Sequence, residues 1–171
     1  MRKIIGILFV LLLVSAPAFS ATKIAYVDLQ KALNQSKVGA QAKADIAAQA
    51  KEYENEFAIK QGEFLKLKGE LEKQGALLSD TAKEEKIKEY QQRGAALQKF
   101  KVDAQRKLQK EDSVRTQEIL KELTAILKDF GKEGGYTLII EKSEGGLLYS
   151  ADNVDDLTDK LIEAYDKSKS K

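Results

Sequence analysis

The chain has 171 residues, 29 basic and 27 acidic, with no His, Cys or Trp. The usual general base, soft metal ligand and thiol nucleophile are therefore missing, and no disulfide can staple the fold. Charge so close to balance selects no strongly acidic or basic partner, no cofactor is expected, and although carboxylate or Ser–Lys catalysis is chemically conceivable, no pattern points to an enzyme.

Arg2 and Lys3 precede an apolar run, Ile4 to Val14, that gives way to small residues around Pro17. This is the plan of a secretory signal peptide. Cleavage after Ser20 puts Ala18 and Ser20 at the two positions that demand small side chains, so residues 1–20 are expected to be removed. The run is short for a bilayer span, which takes about 20 residues. Removing Arg2 and Lys3 leaves equal numbers of acids and bases, with the excess of base in residues 35–128 and the excess of acid after them. A bacterial envelope compartment, the periplasm, is the expected location. The mature chain opens with a strand, Lys23 to Val27, and a short helix capped by Asp28. Asn34-Gln35-Ser36 is a formal glycosylation triplet, but between two helices Ser36 is better used as an N-cap.

A long stretch without proline follows. Ile46, Ala50, Tyr53, Phe57, Phe64, Leu67 and Leu71 recur at alternating steps of four and three, interrupted by Lys60; this is a heptad seam. Ser79, Asp80 and the Thr81-x-x-Glu84 spacing announce a second helix with a capping box. Its seam runs Ile87, Tyr90, Gly94, Leu97, Lys101, Ala104 and Leu108. Folded back as an antiparallel hairpin with its turn at Asp80–Thr81, the two seams pair Leu71 with Tyr90, Leu67 with Gly94, Phe64 with Leu97, Lys60 with Lys101, Phe57 with Ala104 and Tyr53 with Leu108. The predicted arm covers residues 37–129, has its tip near 75–82 and extends about 60 Å. Past Leu108 the heptad slips, and Ile119, Leu123, Ile126 and Phe130 fit an ordinary helical period, as expected where the packing partner changes.

The closing segment reads as a strand (Tyr136–Glu141), a Gly145-Gly146 turn, a strand (Leu147–Ala151) and an acid-capped helix from about Asp155 to Tyr165. Gly131, Gly134 and Gly135 follow a helix and lack the spacing of a nucleotide loop, so they serve as a stop. Asp152, Asp155, Asp156 and Asp159 lack the EF-hand spacing and suit a helix start. The predicted class is α+β: a helical-hairpin arm on a small β body made of residues 21–36 and 130–171. So small a body is marginal for one core and leaves sheet edges bare. It is expected to be completed by oligomerisation, with Ile24, Tyr26, Leu138, Ile140, Leu147 and Tyr149 as core and intersubunit residues and an ordinary monomeric core as the other reading.

"KIAYVDLQKAL", the Lys/Glu/Gln-rich arm, "GGYTLIIEK", "LLYSADNVDDLTDKLI" and the signal peptide, in this order over essentially the whole mature chain, resemble the Skp family of OmpH-like periplasmic chaperones. The resemblance implies a homotrimer with a β-barrel body and three helical tentacles around a cavity, holding unfolded outer-membrane β-barrel proteins without ATP. Well-known members are strongly basic along the tentacles, whereas this mature chain is neutral, so net charge gives no support for membrane or lipopolysaccharide contact. Nucleic acid is not an expected partner of an exported chain whose basic residues are not interleaved with aromatics.

Within the arm, Lys60 and Lys101 form either a deliberate weak layer or, more simply, two lysines snorkelling outward. Ile59, Leu65, Phe100 and Val102 lie off the seam at the same height, and they read as a candidate client surface, as an arm-crossing contact or as surface scatter. Gly62, Gly69 and Gly75, in "KQGEFLKLKGELEKQGALLSD", keep the hairpin end compliant, while Gly94 makes room for Leu67. The alternative function is a coiled-coil spacer or adaptor within the envelope, which gains from stiffness that these glycines remove.

Overall fold

The computed structural model describes residues 22–74, 76–142 and 146–170. The proposed signal peptide, Gly75 and most of the turn at Gly145 lie outside the described residues. In chain order the elements are β1 (Ile24–Val27), α1 (Leu29–Gln35), α2 (Lys37–Gln74), α3 (Asp80–Gly134), β2 (Leu138–Glu141), β3 (Asp155–Asp156) and α4 (Thr158–Lys169).

Each helix begins and ends for a local reason. Asp28 caps α1, its Oδ1 accepting the Lys31 N–H at 2.6 Å. Ser36 closes α1 with its own N–H on the Ala32 carbonyl and opens α2 by accepting the Gly39 N–H at 3.2 Å. Ser79 caps α3 through the Ala82 N–H. At the far end of α3, Gly135 adopts φ 64°, a left-handed conformation that costs glycine nothing, and the Tyr136 N–H returns to the Gly131 carbonyl at 3.0 Å. The glycine cluster is thus a helix stop, as its spacing indicated.

The sheet has the order β2-β1-β3, and β1 runs parallel to both neighbours. Two sequence expectations fail here. Residues 147–151 form no strand, and the third strand is instead the short Asp155–Asp156, paired with Ala25 and Tyr26. The last helix accordingly starts three residues later than the acids suggested, at Thr158. The reason lies in the polar knot that closes β1. The Thr158 hydroxyl accepts the Asp28 N–H at 2.9 Å and donates to Asp156 Oδ1 at 2.5 Å. Asp156 is committed to this knot, so it continues the strand and does not open the helix.

Successive strand residues face opposite sides. Ala25 and Val27 turn inward and are 0% and 2% exposed, with Ile139 packed against the same cluster. That cluster is Val27, Ala32, Leu33, Ile119, Leu123, Leu127, Leu161 and Tyr165, contributed by β1, α1, the root of α3 and α4. Ile24 and Leu138, which are register partners, and Tyr26 and Ile140, a second such pair, lie on the opposite face. Ile24 is 39% and Leu138 51% exposed. These residues, expected as core and intersubunit positions together, are not the core of the chain.

Helices α2 and α3 make the antiparallel hairpin, and its register differs from the expected one by about one helical turn. Gly94 faces Phe64, not Leu67: a Cβ on Gly94 would meet Phe64 Cε2 at 3.2 Å. Phe64 also stacks on Tyr90, with ring centroids 4.7 Å apart. The slip follows from the cap. Ser79 is the N-cap and Asp80 already helical, so the turn precedes Asp80 and every pair across the seam moves with it.

Candidate functional site

The site to weigh is a pair of surfaces, the arm and the open face of the sheet, because the described residues offer no chemical centre. No group of three or more His, Cys, Asp or Glu side chains is placed to hold a metal among them. Nor is any described helix long and apolar enough to cross a membrane. The acids near the C-terminus are held by neighbours: Asp155 accepts the Tyr136 hydroxyl at 2.5 Å and Asp159 accepts Lys31 Nζ at 2.7 Å.

Most perturbed carboxylates are partners in ion pairs; Asp156, against the opposing effect of burial, is instead lowered by hydrogen bonds from Thr158. The Lys86 hydrogen bond holds the Glu70 carboxyl below its ordinary value. Gln41 and then Arg115 do the same for Asp45, and Lys99 for Asp103. Glu122 is lowered by Lys169 first and the Tyr165 hydroxyl second. Burial first, and then Glu122, push the Tyr165 phenol up. Glu70, Asp45 and Glu122 tie helices together, whereas Asp103 pairs along its own helix.

On the arm the four candidate contact residues divide. Ile59, Leu65 and Val102 are 65%, 55% and 40% exposed, with little of the chain around them. Phe100 differs. It meets Tyr53 edge-on at a centroid distance of 6.1 Å and lies beneath Lys60 Nζ at 5.3 Å, so it belongs to the interhelical seam. An aromatic partner on the facing helix is a signal that the misplaced register hid. Tyr53, Phe57, Phe100, Ala104 and Leu108 line an open apolar notch of about 390 Å³ midway along the hairpin. The two lysines do not confront each other as a bare layer: Lys60 reaches Glu56 at 3.2 Å on its own helix and Lys101 is exposed at the rim of the notch. Snorkelling is the correct description. A Cβ at Gly62 or Gly69 would meet nothing within 4 Å, so both face outward.

On the body, Leu147 is half-buried while Leu148 and Tyr149 are 95% and 81% exposed. Leu77, at the arm tip and 86% exposed, was not among the candidate contact residues.

The chain matches the family described as Outer membrane protein (OmpH-like) over residues 23–165. No curated protein matches it. Among solved structures, a putative outer membrane chaperone (OmpH-like) from Caulobacter crescentus superposes with a TM-score of 0.78 at 15% identity, over 90% of this chain and 88% of that one. At that identity the likeness speaks for the fold alone, and the fold is the one the residues dictate: a long helical hairpin on a small three-stranded body. The chain belongs to the OmpH-like outer membrane protein family.

Proposed function

We propose that this protein is an ATP-independent holdase of the bacterial periplasm, exported by residues 1–20, that keeps unfolded outer-membrane β-barrel proteins from aggregating. The body, residues 21–36 and 130–171, joins three copies. The sheet face carrying Ile24, Tyr26, Leu138 and Ile140, together with Leu147 and Tyr149, makes the joint, and the arms of residues 37–129 surround the client. Membership of the OmpH-like family and the chaperone title of the similar Caulobacter structure support the reading. The observation that carries it is an arm that spends its apolar side chains outward. Ile59, Leu65 and Val102 are exposed on a hairpin that buries little between its helices. Many weak apolar contacts, none requiring a defined client sequence, suit a chain that must be held and then released, and they need no catalysis.

Light-scattering mass, with and without a denatured outer-membrane β-barrel protein, tests the reading. A trimer that gains the mass of one client is expected. A monomer that forms no client complex overturns it, and a trimer that leaves aggregation untouched favours the spacer. Ile59→Ser with Leu65→Ser and Val102→Ser is expected to weaken suppression of client aggregation while the trimer persists; unchanged aggregation curves remove these residues from the contact surface.

A further inference from the structure

The C-terminal helix does two jobs along its length. As far as Tyr165 it is part of the core: Leu161 and Tyr165 are both 0% exposed. Its last turns reach sideways onto both helices of the arm. Helix α2 has no acidic residue in its first turn, although free N–H groups and the positive end of the helix dipole favour one there. Asp166 of α4 supplies it, with Oδ1 accepting the Lys37 N–H at 2.8 Å across 129 positions of sequence. On the other arm helix, Glu122 accepts both the Tyr165 hydroxyl and Lys169 Nζ at 2.6 Å. Beneath these bonds lies a cavity of about 480 Å³ between α2, α3 and α4, lined by Val38, Gln41, Glu122, Tyr165, Asp166 and Lys169. The bonds of Asp166 and Lys169 are polar and flank open space, whereas immediately before them Tyr165 is fully buried and Val38 and Ala42 of α2 pack on the same cluster. Water can replace such bonds at small cost, while apolar burial resists exchange.

We propose that the last turns of α4, through Asp166 and Lys169, form a strap that sets the angle at which the arm leaves the body, and that its release lets the arm swing while the body stays folded. Asp166 holds the start of the outgoing helix and Lys169 the root of the returning one, so the strap grips the hairpin on both sides at its base. A small rotation there is multiplied along an arm about 60 Å long. The device is independent of what the arm holds.

The absence of cysteine allows clean spin labelling. With Ala58→Cys on the arm and Asp152→Cys on the body, both exposed, labelled chains diluted among unlabelled ones report a distance within one chain. Asp166→Ala with Lys169→Ala is expected to broaden that distance distribution and to speed amide exchange at residues 37–40 about fivefold, the scale of a lost helix cap. Exchange at residues 119–127 is expected to stay slow. Lys167→Ala removes an ion pair internal to α4, to Glu163 at 2.7 Å, and is expected to change neither readout. The strap is overturned if the double variant leaves the distances narrow, if Lys167→Ala broadens them equally, or if residues 119–127 lose protection together with 37–40.

Discussion

At the root of α3, Leu123 is 0% exposed and packs within a cluster drawn from four elements. Farther out the same helix is barely buried: among the described residues between 40 and 115, only Leu67 and Ala104 are classed as buried. The two regions share a helix and differ in what stabilises it. The body rests on apolar area removed from water. The arm rests on helix propensity, a thin seam and ion pairs. Some pairs lie along one helix, such as Lys68–Glu72 and Arg93–Glu89, and some cross the hairpin, such as Lys86–Glu70 at 2.8 Å and Arg115–Asp45 at 2.9 Å. Exposed pairs of this kind each contribute little. Such an arm can open or bend locally while the body remains intact.

The sharpest way to break this contrast is to cut one leucine from each region. Leu123→Ala is expected to cost about 3 kcal/mol and to lower the unfolding midpoint of the whole chain in thermal or denaturant melts. Leu67→Ala is expected to cost about 2 kcal/mol, confined to the outer arm, so amide exchange rises around residues 60–95 and not at 119–127. If both variants unfold the chain in one step, the arm and body are a single cooperative unit and the contrast fails.

A smaller effect of opposite sign comes from the glycines. Gly62→Ala and Gly69→Ala add a methyl into open space and are expected to stabilise the arm by about 1 kcal/mol each, seen as higher helicity and slower exchange. Gly94→Ala is expected to gain less, since its Cβ must displace the Phe64 ring. Equal gains at all three positions would mean that the Phe64 contact does not constrain the seam.

The smallest effect is expected from pH. Lys169 and then Tyr165 hold the Glu122 carboxyl below its ordinary value of 4.5. A carboxyl lowered in the folded state contributes stability above its unfolded value and loses it as pH falls. Below about pH 4.5 stability is therefore expected to fall less steeply with pH for Glu122→Gln than for the parent, and, with each referred to its own low-pH stability, the difference is largest and constant in neutral solution. Parallel curves throughout would show that the root carries no titrating clamp.

Much of the architecture could be read from single residues. Asp28 and Ser36 each cap the helix they were expected to cap, because capping is a bond between a side chain and a backbone amide two or three residues away; at α3 the cap is Ser79, two residues before the Thr81 of the expected capping box. Gly135 ends α3 for an equally local reason, and the heptad spacing exposed the hairpin. What failed were the details set by an exact partner far away in sequence: the register of the hairpin, the place of Phe100 and the third strand. The register missed by one turn because heptads fix which face meets the partner but repeat at every turn, so a small error in the turn moved Phe64 from Leu97 to Gly94. Phe100 was placed outside the seam for the same reason. The strand expected at Leu147–Ala151 gave way to Asp155–Asp156, whose pairing with β1 is decided by the Thr158 knot.

By itself, then, the sequence determined the helices, the caps of α1 and α2 and the division between a long arm and a short β-bearing body, because these arise from periodicity and contacts within a turn or two. The tertiary structure decided which side of the sheet is covered, which apolar side chains remain in water and how the C-terminal helix grips the arm. Those outcomes depend on residues more than 100 positions apart, such as Lys37 and Asp166 or Asp28 and Thr158, and nothing in the local pattern of either partner names the other.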